Sequence, residues 1–438
     1  MQRRDLDRLA KRLDAFLGDC FEGMGRLERR VALGNYVRAL MLDGERKSIE
    51  PLAERLVGCP SEVQAMRQRL QQAVTVAQWS ESEVYRRLAL RAETTLPGID
   101  AWALDDTGFP KKGRHSVGVQ RQYSGTMGRI DNCQVAASLH LASERGGVCV
   151  GMQLYLPRKW AERSDLREKA KIPDDIAFKE KWRIGLEMIE TARSWGIIEK
   201  PVVADAGYGD SSDFRKALDN MGLEYVVGIS GTAVVWPPGV CPTPPGSHPQ
   251  GKRGRPLVRW TAPEGEQPIS IADLAASLPR SSFRRVTWTT GTKGKHWNRF
   301  AFLRVRTARR HTAGKPPGDE QWLICEWPKS ADKPTTFYLS NLPAKTPKYR
   351  LVYLAKLRWR IERDYQEMKG ELGLDHFEGR GWAGFQHHCA LVAAAHAFLT
   401  LERVLFPPQP QSTQLPGLPR HSSGRSAETH RALPTLQA

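Results

Sequence analysis

Pro201-Val202-Val203-Ala204-Asp205-Ala206-Gly207-Tyr208-Gly209 is a short apolar run that ends on an acid and then turns through two glycines. A run this short, β-branched and bounded by glycine, reads as a buried strand. The acid at its end is poorly explained by packing, because Asp is seldom buried without a partner. The same pattern occurs upstream, where the apolar run Ile99–Leu104 ends in Asp105-Asp106. Between the two, Gln134–Leu141 and Val148–Leu156 alternate like strands around the turn Gly146-Gly147, and a long helical segment covers about Ile176–Trp195. A helix near Asp213–Met221 and a strand at Tyr225–Ile229 follow. Three strands, a helix, a strand, a helix and a strand predict a mixed α/β layer with acids at the strand ends.

Around this layer the chain changes character. Residues 1–95 carry leucines at three-to-four spacing (Leu6, Leu9, Leu13) and a capping pair, Ser80 with Glu83, which predict a helical domain suited to DNA binding or simple packing. Residues 96–230 hold the α/β layer. Residues 231–345 open with a Pro- and Gly-rich connector, Pro237–Pro256, and continue as strands, with a hairpin of Phe283–Thr289 and Trp297–Arg306 around Gly291 and Gly294, then Trp322–Glu326 and Thr336–Leu339. Residues 346–405 return to helix, near Lys348–Leu372 up to Gly373 and at Trp382–Leu401. Residues 406–438, with six prolines and few large apolar residues, cannot bury a core and read as a disordered tail.

Charge narrows the function. The 438 residues hold 66 Lys and Arg against 48 Asp and Glu, a net charge of +18, which points to a polyanionic partner. Residues 231–350 alone hold 20 basic and 7 acidic residues, or +13. The seven cysteines are odd in number, scattered and never CxxC-spaced, against both a disulfide framework and a structural zinc. The start, Met1-Gln2-Arg3-Arg4-Asp5, lacks an apolar signal region, and the apolar stretch Cys389–Leu401 contains His396 and falls short of a span of ~18–20 residues. A cytoplasmic protein without membrane contact is expected.

Arg358-Trp359-Arg360-Ile361-Glu362-Arg363-Asp364-Tyr365-Gln366-Glu367-Met368-Lys369 adds the third acid. At ~100° per residue Arg358, Glu362 and Lys369 share one helical face, beside an apolar stripe of Leu354, Leu357, Ile361, Met368 and Leu372. Such a face is commonly no more than solvated surface. Here it accompanies two acids at strand ends, and three carboxylates could hold two divalent ions, hard cations that take oxygen ligands. Two metals about 3.5–4 Å apart would clamp the attacking and leaving oxygens of a phosphoryl displacement.

In this order the elements resemble the DDE transposases of bacterial insertion sequences, and more narrowly the insertion-sequence-four-related group with its Tyr-(two)-Arg-(three)-Glu-(six)-Lys helix. Asp105-Asp106-Thr107-Gly108-Phe109-Pro110-Lys111-Lys112-Gly113 and Arg121-Gln122-Tyr123-Ser124-Gly125 are similar to the seven-hundred-and-one subgroup of those elements. The resemblance covers roughly residues 25–405. It implies an RNase H-like catalytic core interrupted by the β-rich insertion, with Asp105, Asp205 and Glu362 as the catalytic metal ligands. Asp105 is matched through the family's Asp-x-Thr, and Asp106 stays the alternative. It further implies a pair of Mg2+ ions, replaceable by Mn2+, and Arg358 and Lys369 on DNA phosphate. The signature Tyr falls at Ala355, with Tyr353 two residues away. The implied partners are double-stranded DNA, as element terminal repeats and as target, and a second copy of the chain. The implied reaction is end cleavage followed by strand transfer; a nuclease that never joins ends and a domesticated DNA-binding protein are the alternatives.

Lys252-Arg253-Gly254-Arg255-Pro256 is similar to the core of an AT-hook, although a basic linker reads the same way. Gly291-Thr292-Lys293-Gly294-Lys295 lacks the spacing of a phosphate loop. Trp288 and Trp297 beside that turn could stack on a base, with sheet packing the simpler role, and His387-His388 beside Cys389 lack a second ligand pair for a metal. Arg284, Arg285, Lys293 and Lys295 are the expected DNA contacts of the insertion. Affinity for duplex DNA should therefore fall as salt rises, with a log–log slope of about −0.9 per phosphate neutralised. Neutralising these four residues should flatten that slope in a salt titration, and an unaltered slope would place the contacts elsewhere.

Overall fold

Residues 3–244, 259–262, 265–291, 294–308 and 314–407 are described by the computed structural model. The AT-hook-like stretch with Lys252, Arg253 and Arg255, Lys293, and the tail beyond 407 lie outside them. Twelve strands form one sheet: β1 Ala101–Pro110, β2 Gln120–Ser124, β3 Arg129–Ala142, β4 Gly147–Leu154, β5 Val202–Ala204, β6 Tyr225–Ile229, β7 Val234–Trp236, β8 Ile269–Ser270, β9 Arg284–Gly291, β10 Gly294–Thr307, β11 Glu320–Trp327 and β12 Thr336–Ser340. Their order is β2-β3-β1-β5-β6-β12-β11-β10-β7-β8, with β4 on β3 and β9 on β10. Only the β1/β5 and β5/β6 pairs are parallel. The fold is mixed α/β.

The parallel pairs lie where the sequence is most apolar. Trp102, Ala103 and Leu104 of β1 align with Val202, Val203 and Ala204 of β5, all buried, as strands covered on both faces require. The basic β-strands do not make a sheet of their own. β12 pairs with β6 from Phe337↔Ile229 to Ser340↔Val226, so β9–β12 extend the sheet that carries the acids.

Helices cover both faces. Five of them, Arg3–Cys20, Leu27–Met41, Ile49–Leu56, Pro60–Gln71 and Glu81–Thr95, precede the sheet; Ser80 Oγ accepts the Glu83 N–H at 3.2 Å and caps the last. The expected helix from Ile176 begins only at Lys181. Phe178, set edge-on to Tyr155 and under the Arg158 guanidinium, holds the preceding segment outside the helix. The expected single helix Lys348–Leu372 is two, Lys348–Leu357 and Trp359–Gly370, interrupted at Arg358.

Trp382–Leu405 is the one helix among the described residues long and apolar enough to cross a membrane, exceeding the apolar stretch expected there. Most of it is buried against β4 and the N-terminal helices. Its adjacent His387 and His388 are core residues, not surface. His387 stacks on Trp79 at 3.9 Å between ring centroids, with its nitrogens facing the carbonyls of Val74 and Trp79. His388 Nδ1 accepts from Tyr36 Oη at 2.9 Å, and Nε2 faces the carbonyls of Gly373 and Leu374 at 3.2 Å.

Burial pushes the pKa of His388 down to about 4. In the unfolded chain a histidine titrates near 6.5, so as pH falls below that value the unfolded state takes up the proton first and stability is lost until the folded value is passed. A loss of about 2 kcal/mol between pH ~7 and pH ~5 is expected from this group. Urea melts across that range check it, and His388→Gln should flatten that part of the profile.

Candidate active site

The β1/β5 register determines where the strand-end acids sit. Leu104↔Ala204 is the last aligned pair, so Asp105 and Asp205 are the next residues on two adjacent parallel strands. The carboxyl ends of such strands are where open α/β sheets bind ligands. Asp205 leads into the tight turn Ala206–Gly209, which lies against β6. A Cβ on Gly209 would stand 1.8 Å from the Gly228 carbonyl oxygen, so only glycine allows this approach.

Asp105 is buried, and both of its oxygens are held. Oδ1 accepts the Asp106 N–H at 2.8 Å and Oδ2 accepts from Arg358 Nη1 at 2.6 Å. Asp106 is paired with Lys181, and its charge acts on Asp205 as well as on Asp105, so both members of the Asp105-Asp106 pair stand at the site. Arg358 donates through Nη2 to Glu362 Oε1 at 2.5 Å, so a single guanidinium bridges the first acid and the third. Asp205 Oδ1 is shielded from solvent without a hydrogen-bond partner.

Burial pushes the Asp105 carboxyl up to about 7; Arg358 opposes the rise, and the charges of Asp205 and Asp106 add to it. Asp205 is raised by burial and by Asp106, again against Arg358. Among the described residues, no three His, Cys, Asp or Glu side chains converge as they stand, and Arg358 lies between two of the three acids. The donor set nevertheless suits a hard cation. It is all carboxylate oxygen, one of them buried and unpartnered, in a place where added positive charge relieves the crowding of like charges.

Lys369 does not meet Glu362. Its Nζ donates to the Gly108 carbonyl at 2.7 Å and to Thr126 Oγ1 at 3.2 Å, three residues beyond Asp105, and burial brings its pKa down to about 8. Tyr353 donates to Asp100 Oδ2 at 2.8 Å, at the far end of β1. Arg284, Arg285 and Lys295 are exposed on the β9–β10 hairpin, where Arg285 covers the Trp297 ring at 4.0 Å and Trp288 packs edge-on to Phe300. Both tryptophans are engaged in the sheet.

Two buried polar clusters support the acids. Tyr365 Oη and Ser138 Oγ share a hydrogen bond at 2.7 Å, Ser138 meets His140 Nε2 at 3.0 Å, and His140 Nδ1 meets Asp364 Oδ2 at 2.8 Å. Ser138 is the β3 partner of Asp105 in register, so this chain fastens the Glu362 helix to the sheet directly beside the first acid. Burial opposes charge on His140, but Cys149 and Asp364 overcome it and push the pKa up to about 10. In the second cluster, buried Glu326 of β11 accepts from Asn298 at 2.5 Å, from Tyr338 at 3.3 Å and from Lys356, tying β10–β12 to the Lys348–Leu357 helix.

The model of the DDE superfamily endonuclease family matches residues 19–295, more than half of the chain, including Asp105 and Asp205. The chain belongs to the DDE superfamily endonucleases. It is 28% identical over 198 residues to a probable transposase for insertion sequence element IS701 of Microchaete diplosiphon, an alignment covering 43% of this chain and 45% of that protein. The chain thus spans less than half the length of that relative. A piggyBac transposase synaptic complex with hairpin DNA, solved by cryo-electron microscopy, aligns with a TM-score of 0.41 at 12% identity over 87% of this chain and 66% of the other.

None of Ser138, His140 and Glu326 was legible as part of a site, since each sits in a strand where alternation alone accounts for it. Removing one member of a buried charged pair leaves the other uncompensated, at a cost of about 3–5 kcal/mol. His140→Ala is expected to destabilise by that amount, and Tyr365→Phe by about 1–3 kcal/mol. Urea denaturation measures both, and wild-type midpoints would show that the chain of hydrogen bonds does not hold the helix.

Proposed function

We propose that this endonuclease is a cut-and-paste DNA transposase that cleaves at the ends of an insertion sequence and transfers the freed strand into target DNA. The observation that carries the reading is Arg358 bridging Asp105 and Glu362 at the carboxyl end of one parallel strand, with Asp205 at the end of the adjacent one, in a chain of the DDE superfamily. The arrangement β4-β3-β1-β5-β6, antiparallel on one side of β1 and parallel on the other, is read as an RNase H-like core. Residues 1–95 then form the helical domain and 231–345 the basic insertion.

Asp105, Asp205 and Glu362 would hold a pair of Mg2+ ions, replaceable by Mn2+, which when bound supply charge for activating a water or a DNA 3′-OH and for stabilising the leaving oxygen. The chain's own groups do the rest. The Ser138–His140–Asp364–Tyr365 bonds keep the Glu362 helix in register with Asp105. With a cation holding those carboxylates, Arg358 would be available to pair with a phosphate beside them, and Lys369 anchors the backbone that follows Asp105. Double-stranded DNA is the partner, and two copies acting together would bring two element ends to one target.

Glu362→Gln should abolish both cleavage and joining of pre-cut ends, with folding and DNA binding unchanged. Its side chain is largely exposed, so packing does not depend on it, while the amide lacks the charge that a divalent cation requires. Asp105→Asn and Asp205→Asn should behave alike. Cleavage without joining by the wild type would make the protein a nuclease, and joining of pre-cut ends by Glu362→Gln at the wild-type rate would defeat the single-site reading.

A further inference from the structure

Arg121-Gln122-Tyr123-Ser124-Gly125 is a motif to which the reaction assigns no part, and it lies among the described residues. It forms β2 and enters the turn to β3, in the register Arg121↔Asn132, Gln122↔Asp131, Tyr123↔Ile130 and Ser124↔Arg129. β2 is an edge strand. Tyr123 and Ile130 are opposed on one face of this hairpin, and they are 63% and 60% exposed. A cross-strand pair of large apolar side chains ordinarily packs under another layer. Among the described residues none covers this one.

The hairpin is nonetheless fixed to the site. Thr126 Oγ1, in its turn, accepts the Gly108 N–H at 3.2 Å and also meets Lys369 Nζ at 3.2 Å. A Cβ on Gly108 would stand 2.0 Å from Ser124 Oγ, so glycine at 108 is what permits the contact. Asn132 Nδ2 donates to the carbonyls of Lys111 and Gly113 at 2.6 and 2.9 Å. The hairpin and the 111–116 loop therefore move as one with the backbone following Asp105 and with the helix of Glu362.

The charge around the pair selects a partner. Residues 107–131 contain five basic residues, Lys111, Lys112, Arg114, Arg121 and Arg129, against one acid, Asp131, which pairs with Arg129 at 2.8 Å. Lys112, Arg114, Arg121 and Arg129 are exposed. Two uncovered apolar side chains are too few for a protein interface, whereas one aromatic ring flanked by cations matches one base flanked by its phosphates.

We propose that the β2–β3 hairpin holds the cut end of DNA: Tyr123, backed by Ile130, stacks on an unpaired base leaving the site, and Arg121 and Arg114 take the adjoining phosphates. This rests on the transposase reading and names the element that receives the cleaved strand. The test uses full-length protein and a short duplex with a single-stranded overhang that ends in 2-aminopurine, together with the same duplex without the overhang. Wild-type protein should quench the 2-aminopurine emission on binding. Tyr123→Ala should abolish the quenching and weaken overhang binding about ten-fold, with blunt-duplex affinity and melting temperature unchanged, and Tyr123→Phe should behave as wild type.

Unchanged quenching in Tyr123→Ala, or equal weakening of both duplexes, would overturn the stacking role. It would leave the transposase reading standing wherever Glu362→Gln still blocks cleavage. Failure of the wild type to bind either duplex would overturn both.

Discussion

A carboxylate removed from water needs a cation or a proton beside it, and at the ends of β1 and β5 two carboxylates are placed one residue beyond the same aligned pair. Arg358 meets that need for Asp105 and, through its second nitrogen, brings Glu362 to the same point. The arginine stands at the interruption between two helices, so the place where the helical ladder breaks is also the place where helix and sheet are joined by charge. Much of the surrounding structure serves to keep this junction in place. Lys181 pairs with Asp106 beside it, and the Ser138–His140–Asp364–Tyr365 bonds fix the far side of the helix.

The sheet's central strands and their terminal acids were legible because packing alone does not account for an apolar run that stops at Asp. Asp105, Asp205 and Glu362 could each be picked out, and the order of strands and helices gave the mixed layer. What the spacing could not show was where the bases point. Arg358 and Lys369 fall on one helical face with Glu362, yet Arg358 turns inward to Asp105 and Lys369 reaches a backbone carbonyl of β1. Those destinations depend on partners some 250 residues away in the chain, which helical periodicity does not encode. The same holds for His140 and Asp364, 224 positions apart, while Glu326 gathers partners from three different elements that no single periodicity relates.

Strands β9–β12 read correctly as β from alternation, but their place did not follow from it. A sequence pattern says which residues face a core; it does not say whether that core is separate. Pairing of β12 with β6 makes the basic strands a continuation of the layer holding Asp205, so a cationic surface and the acids share one rigid support.

The Trp382–Leu405 helix has a consequence for how the molecule comes into being. It is the axle on which the N-terminal helices turn back, through Tyr36 on His388 and Arg12 on Glu402, pairs separated by 352 and 390 positions. Contacts of such separation are slow to form, and the chain emerges from the ribosome N-terminus first. The first helices therefore wait, without their core, until nearly all of the described chain has been synthesised. A nascent chain halted before Trp382 would hold Asp105, Asp205 and Glu362 and still lack the buried helix that closes the core around them. The acids are thus in place along the chain before the core that supports them can close.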